Sequence, residues 1–374
     1  MGVSRFLYHF LFGFFASLIL AIPSPAQDPK SELASVFAAW ERRKTDVRTV
    51  RYVVHGKKVF PKGCYSQEPG LPADVKGDVP KEDYIAKTSL WWLVDFQNNR
   101  FLRGDRTESF QVDRATFIPN YIVKVFDGSE FRAFAPREEN TSSLYEPSEY
   151  QPEIYLGTSG STHHFFDAYE WPLLMAHGII TQELPDVRRW NTPPDRDRFR
   201  IHGRAVAAGR PCLVVRTQPR QDRRGQFEEL WVDVPRDAAV LRWQRYRSGR
   251  VILTFDITYQ EIANQWLPKE WRSVSYDHES HVGSSFALQV TEIDVNLRVD
   301  PNDFQPKFEP GRVVLDNKDE RFYRVESGGK LVPIRLDSHK PDSSWRTVLA
   351  FFLIALVIGM AILLARRMRR LTGE

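Results

Sequence analysis

A chain of 374 residues with 42% hydrophobic and 13% aromatic residues can bury a core and is not a disordered segment. Its formal charge of +4 is small for this length, and part of it sits in Arg366, Arg367, Arg369 and Arg370 near the end. That balance argues against a dedicated nucleic-acid binder, which needs a concentrated basic face.

The chain opens with Arg5, an apolar run over residues 6–22 and then Ser24-Pro25-Ala26, a secretory signal pattern over residues 1–26. An uncleaved anchor is the alternative. The cleavage position has no cysteine for acylation. Residues 31–45 predict an amphipathic helix, with Ser31 as cap and Leu33, Val36, Phe37 and Trp40 on one face. Residues 47–60 read as a strand, and 61–81 as a long loop holding Cys64.

Strand signals resume at residues 90–96 and 100–103, around the turn Gln97-Asn98-Asn99. Residues 121–126 and 130–135 flank Asp127-Gly128-Ser129, a hairpin signal in which Asp127 and Gly128 are both expected at positive φ. Residues 136–160 are polar and irregular. A short helix is expected over 165–177, broken near its start by Trp171-Pro172, and 185–198 reads as a charged linker. Strands at 198–206 and 212–218 pair around Ala208-Gly209.

The long meander of residues 227–297 follows. In it Val251, Leu253, Phe255, Ile257 and Tyr259 alternate with Ile252, Thr254, Asp256, Thr258 and Gln260, the pattern of a half-buried strand. Ser248-Gly249 turns the chain into this strand and Asn264-Gln265 turns it out. Residues 316–344 read as a polar stalk. Residues 348–365 are apolar and uncharged, which predicts a membrane helix over 345–366, with Trp345 at the interface. The arginine cluster then keeps the tail, 367–374, cytoplasmic and sends the middle of the chain outside.

About ten strands and two helices are expected. The fold class is mainly β (α+β). A large curved antiparallel sheet forms a half-open barrel, with one or two helices on its concave side. A two-sheet sandwich is the alternative.

The runs Glu229-Leu230-Trp231-Val232-Asp233, Val240-Leu241-Arg242, Ile257-Thr258-Tyr259, Trp266-Leu267-Pro268-Lys269 and Asp303-Phe304 resemble the lipoprotein-localisation (LolA-like) superfamily. Asp127-Gly128 followed by Phe131 resembles a hairpin in that family's first half. The resemblance covers residues 33–314, most closely from Phe227 onward, is carried by turn and packing positions, and makes residues 31–315 the expected half-barrel ectodomain. It implies an incomplete barrel around an apolar cavity, lidded by helices. Taken with the expected signal and C-terminal anchor, the expectation is a bacterial inner-membrane protein with a single span, its ectodomain facing the periplasm. The expected partner is a lipid or lipoprotein ligand, with an envelope protein as a further candidate. The chain differs from the family in its insertions at 61–81 and 136–160 and in its C-terminal anchor, which a soluble shuttle cannot have.

If a cavity exists, inward-facing aromatics would touch the ligand, and Trp92, Phe101, Phe131 and Phe255 are the candidates. Most aromatics simply build the core, where a buried Phe contributes about 1.5–3 kcal/mol. His163, His164, Asp167 and His177 form the best set for a metal, but no His-Glu-x-x-His pattern supports it. No nucleophile elbow, phosphate loop or dinucleotide fingerprint occurs. No catalytic residue, metal or cofactor is therefore assigned. Cys64 and Cys212 are the only cysteines, and export would allow them to bond. The reading is a tethered, non-enzymatic binder of an apolar ligand. A sensor or scaffold for another envelope protein is the alternative, and a metal-dependent hydrolase the third.

Overall fold

The computed structural model describes residues 28–66, 69–72, 74–75, 77–134, 154–156, 166–180, 190–219, 225–277, 280–305, 308–316 and 319–334. The expected signal, 1–26, and the expected membrane helix, 345–366, lie outside the described residues. Among the described residues no helix is long and apolar enough to cross a membrane. The chain divides into two compact units, residues 1–136 with 160–306 and residues 137–159 with 307–374.

The first unit begins with α1 (Pro29–Asp46), where Asp28 accepts from the Lys30 N–H and Pro29 occupies the first turn. Five strands follow: β1 (Thr49–Phe60), β2 (Tyr84–Asp95), β3 (Arg100–Gln111), β4 (Thr116–Phe126) and β5 (Phe131–Phe134). β6 (Ile154–Leu156) belongs to the second unit. A 3-10 turn, Ala168–Glu170, leads into α2 (Trp171–Ala176). Pro172 does not break this helix. It sits in the first turn, where its missing N–H has no partner to lose.

Seven strands complete the unit: β7 (Phe199–Ala207), β8 (Arg210–Thr217), β9 (Phe227–Asp233), β10 (Ala239–Arg247), β11 (Arg250–Ile262), β12 (Gln265–Tyr276) and β13 (Val282–Val295). The twelve strands pair antiparallel in the order β5-β4-β3-β2-β1-β13-β12-β11-β10-β9-β8-β7. β1 therefore joins the two halves, holding β2 on one side and β13 on the other.

Alternation sets the faces. In β2, Ala86, Thr88, Leu90, Trp92 and Val94 are buried, while Ile85 and Lys87 on the other face are exposed. In β11, Phe255, Ile257 and Tyr259 are buried and Asp256 and Thr258 exposed. The buried face carries both helices. It also curls. Glu170 pairs with Arg103 on β3, while its neighbour Trp171 packs on Trp243 of β10 at 5.2 Å. In a flat sheet those strands would stand roughly 29 Å apart at about 4.8 Å per step. Two adjacent residues reach both only if the sheet wraps around them. Bulges at Val53/Val54, Val240/Arg242, Thr258/Tyr259 and Ser275/Tyr276 add the local twist this needs.

The resemblance motifs occupy these corners. Trp231-x-Asp233 ends β9, and buried Asp233 pairs with Arg210. Leu267-Pro268 lies opposite the β11 bulge, with Pro268 level with Tyr259 where a missing N–H does least harm to the ladder. Phe304 is buried against Val123 and Val125. Two turns differ in detail from expectation. Ala263 and Asn264, not Gln265, hold the positive φ values of 49° and 61°. At the β4–β5 turn only Gly128 has positive φ, because the Asp127 carboxylate fixes the turn by accepting from the N–H groups of Ser129 and Glu130.

The second unit contains β14 (Val313–Asp316), β15 (Arg321–Val325) and β16 (Leu331–Pro333), antiparallel in turn, with β6 parallel to β14. The residues read as a polar stalk, 316–344, thus carry two strands. Their polar composition conceals the pairing, which leaves only Val325 of these two strands buried.

Candidate functional site

The middle of the curled face is filled by the segment 166–180. Phe166 packs on Trp92 at 5.4 Å and on Phe101 at 4.9 Å. Trp171 packs on Trp243 and Phe255. Leu173, Leu174, Met175 and Ala176 are all buried. The Arg43 guanidinium donates to the Ala176 carbonyl at 3.0 Å and to the Arg236 carbonyl at 3.1 Å, tying this segment to α1 and to the turn after β9. Gly178, at φ 70°, lies so close to the Trp40 carbonyl that a Cβ there would stand 2.4 Å from the oxygen. Only glycine allows both that φ and that approach.

Two polar anchors hold the segment. Tyr52 Oη lies 2.8 Å from His177 Nε2 in a fully buried pair. Burial, reinforced by the Arg43 and Lys44 charges, lowers the His177 pKa to about 3, so the imidazole is neutral. The second anchor is a buried ion cluster. Arg103, wholly inaccessible, pairs with Glu170 and Asp105 and donates to Asp167 at 2.7 Å. Lys124 lies 3.7 Å from Asp167. Burial raises the Asp105 carboxyl despite the adjacent guanidinium. Burial also works against ionisation of Asp167, but Arg103 and Lys124 outweigh it and hold that carboxyl below its usual range. Burial, then Arg103, lower the Lys124 ammonium.

Beyond this cluster the curled face opens into a cavity of about 250 Å³. Phe60, Tyr65 and Phe110 form one wall, with Tyr65 and Phe110 stacked at 4.2 Å. Tyr169, Phe286 and Leu288 form another, and Tyr169 donates to Asp167, linking the cavity to the ion cluster. Thr88, Thr107, Ser109 and Glu108 add polar edges, with the two threonine hydroxyls 3.2 Å apart. Lys58 is the cation of the site. Its ammonium lies 4.6 Å from the centre of the Phe60 ring and makes no ion pair or hydrogen bond among the described residues. Burial lowers its pKa, with Asp167 and Cys64 acting the other way.

All four ligand candidates from the sequence are core residues, and none lines this cavity. Trp92, Phe101 and Phe131 belong to one aromatic cluster around Phe166. Phe255 lies apart, against Trp171, Trp243 and Phe286. The segment 166–180 covers them. Of the residues weighed for metal, His163 and His164 lie outside the described residues, Asp167 is held by Arg103, and His177 by Tyr52. Among the described residues no group of three His, Cys, Asp or Glu could hold a metal ion. Cys64 and Cys212 are not bonded to each other. Cys64 follows β1 and Cys212 lies on β8, six strands away along the sheet.

Lys58 was legible in one respect. Val50, Tyr52, Val54, Gly56, Lys58 and Phe60 share one face of β1, so a lysine interrupts an otherwise apolar row.

No family model and no curated protein matches the chain. Among solved structures, a DUF1329 family protein from Desulfovibrio piger is similar over 74% of this chain and 98% of its own, at 10% identity and a TM-score of 0.37. A domain described as an outer membrane lipoprotein-sorting protein, from Vibrio parahaemolyticus, is similar over 73% of this chain and 97% of its own, at 10% identity and a TM-score of 0.39. Scores this low carry no weight for fold, ligand or partner, and the strand pairing stands on its own.

Proposed function

We propose that this protein binds a small amphiphile in the cavity at the open end of the curled sheet, and that residues 345–366 tether it to a membrane with the sheet outside the cytoplasm. The observation that carries the binding reading is the cavity itself, with aromatic walls and a few polar edges converging on one space, the usual make-up of a small-molecule site. Its volume of about 250 Å³ is too small for several acyl chains, since drug-sized pockets run to roughly 300–1,000 Å³. A lipid carrier with an empty core is therefore disfavoured, and a receptor for one short ligand is favoured. The packed centre also favours the scaffold reading, in which another envelope protein docks on the unit.

Calorimetric titration of the full chain in nanodiscs with 1-octanol separates the two. Saturable binding that is lost in Ser109→Trp, which fills the cavity, is expected. Octanol that fails to bind, or that binds S109W equally well, contradicts the cavity reading.

A further inference from the structure

Resting on that reading, we infer that the cavity selects a ligand with a single carboxylate, a medium-chain fatty acid, and that Lys58 is the residue that receives the carboxylate. Lys58 stands on the face of β1 that otherwise faces the core, beside Phe60 and below the level of Gly56. Gly56 lets the chain pass close to β13, since a Cβ there would stand 2.1 Å from the Ala287 carbonyl oxygen and 2.6 Å from Leu288. The lysine is thus set on a closely packed strand pair and not on a free loop.

Three other buried or half-buried cations of this unit have carboxylates, while Lys44 is held by the Asn191 carbonyl. Arg103 has Asp105, Asp167 and Glu170, Arg245 has Glu228, and Arg43 has Asp237. Lys58, also half-buried, has only the face of a phenyl ring among the described residues. Asp167 and Cys64 act on Lys58 only from beyond ion-pair distance, so a half-buried ammonium with no direct ion pair is a place that an incoming anion can occupy.

The rest of the lining narrows the anion. Glu108 lies on the same cavity and repels a dianion about twice as strongly as a single carboxylate. Among the described residues no arginine lines it, and arginine is the side chain whose fork matches phosphate best. One compact ammonium with Thr88, Thr107 and Ser109 at hand suits a carboxylate. The apolar walls of Phe60, Phe110, Phe286 and Leu288 take the hydrocarbon. Scaling from an apolar cavity of about 150 Å³ that holds benzene, this volume takes about ten non-hydrogen atoms, the size of octanoate.

The test is calorimetry on the full chain in phosphatidylcholine nanodiscs, with empty nanodiscs subtracted, using octanoate, 1-octanol and octyl phosphate. Octanoate is expected to bind at least about tenfold more tightly than either of the others. Lys58→Met is expected to erase that advantage while leaving octanol binding within about twofold, and Lys58→Arg to retain most of it. Equal octanoate affinity in wild type and K58M, with octanol binding intact, overturns the carboxylate assignment and leaves the cavity reading standing. Tighter binding of octyl phosphate overturns it as well. Failure of every probe to bind overturns the cavity reading itself. Near-ultraviolet circular dichroism on each variant confirms that the aromatic core is intact.

Discussion

His177 shows how one side chain records its surroundings. It is buried at the end of α2, bonded to Tyr52, and its pKa is lowered from 6.5 to about 3. In the unfolded chain it takes up a proton near pH 6.5, while in the folded chain it stays neutral until far lower pH. The unfolded state therefore binds more protons between these values. The stability that depends on His177 is complete above pH 6.5 and is lost as pH falls toward 3. The loss from this residue between pH 7 and pH 5 is about 2 kcal/mol. Urea unfolding of His177→Gln at both pH values should show a pH dependence smaller than wild type by that amount. An unchanged dependence would mean that the imidazole is protonated in the fold. None of this was legible in the sequence, which grouped His177 with His163 and His164 as polar chemistry. Burial is a tertiary fact, and a histidine in a polar-looking stretch gives no sign of it.

At the level of elements, the meander was readable because each strand alternates and each turn carries its own chemistry. Ser248-Gly249 and Ala208-Gly209 hold positive φ at both positions, which glycine invites at the second and the two-residue turn imposes on Ser248 and Ala208 at the first. The segment 166–180 was harder. Its helix has only six residues, too short for a periodic pattern to show, and Pro172 reads as a break when it is a start. Its capping signal, Asp167 three residues before Glu170, was present but hidden by the same carboxylates serving Arg103. That oversight had a consequence for the site. Trp92, Phe101, Phe131 and Phe255 do face inward, but the segment stands over them, and periodicity alone cannot show which inward residues are covered. The C-terminal apolar element, residues 348–365, carries its own prediction. With four arginines after it, a green fluorescent reporter fused beyond Glu374 is expected to fluoresce in the cytoplasm. A dark reporter alongside an active alkaline phosphatase fusion would reverse the orientation.

Over the first unit as a whole, a sheet of twelve strands curls around one short plug. The plug fills the centre with Phe166, Trp171, Leu173 and Leu174, and the ion cluster of Arg103 seals the boundary between that packed centre and the open end. A structure of this kind separates stability from binding. On the proposed reading, closely packed aromatics hold the fold, while the small space beside Lys58 takes the ligand. Architecture was legible from strand patterning, and the cavity was not, because its walls come from β1, β2, β3, β13 and two loops that only the curl brings together. The most direct test is photo-crosslinking of the full chain with a medium-chain fatty acid that carries a diazirine on its tail, followed by peptide mapping. Label concentrated on Phe60, Tyr65, Phe110, Phe286 and Leu288, and competed away by octanoate, is the predicted result. Label spread over the outer face of the sheet, or confined to residues remote from this cavity, would contradict it.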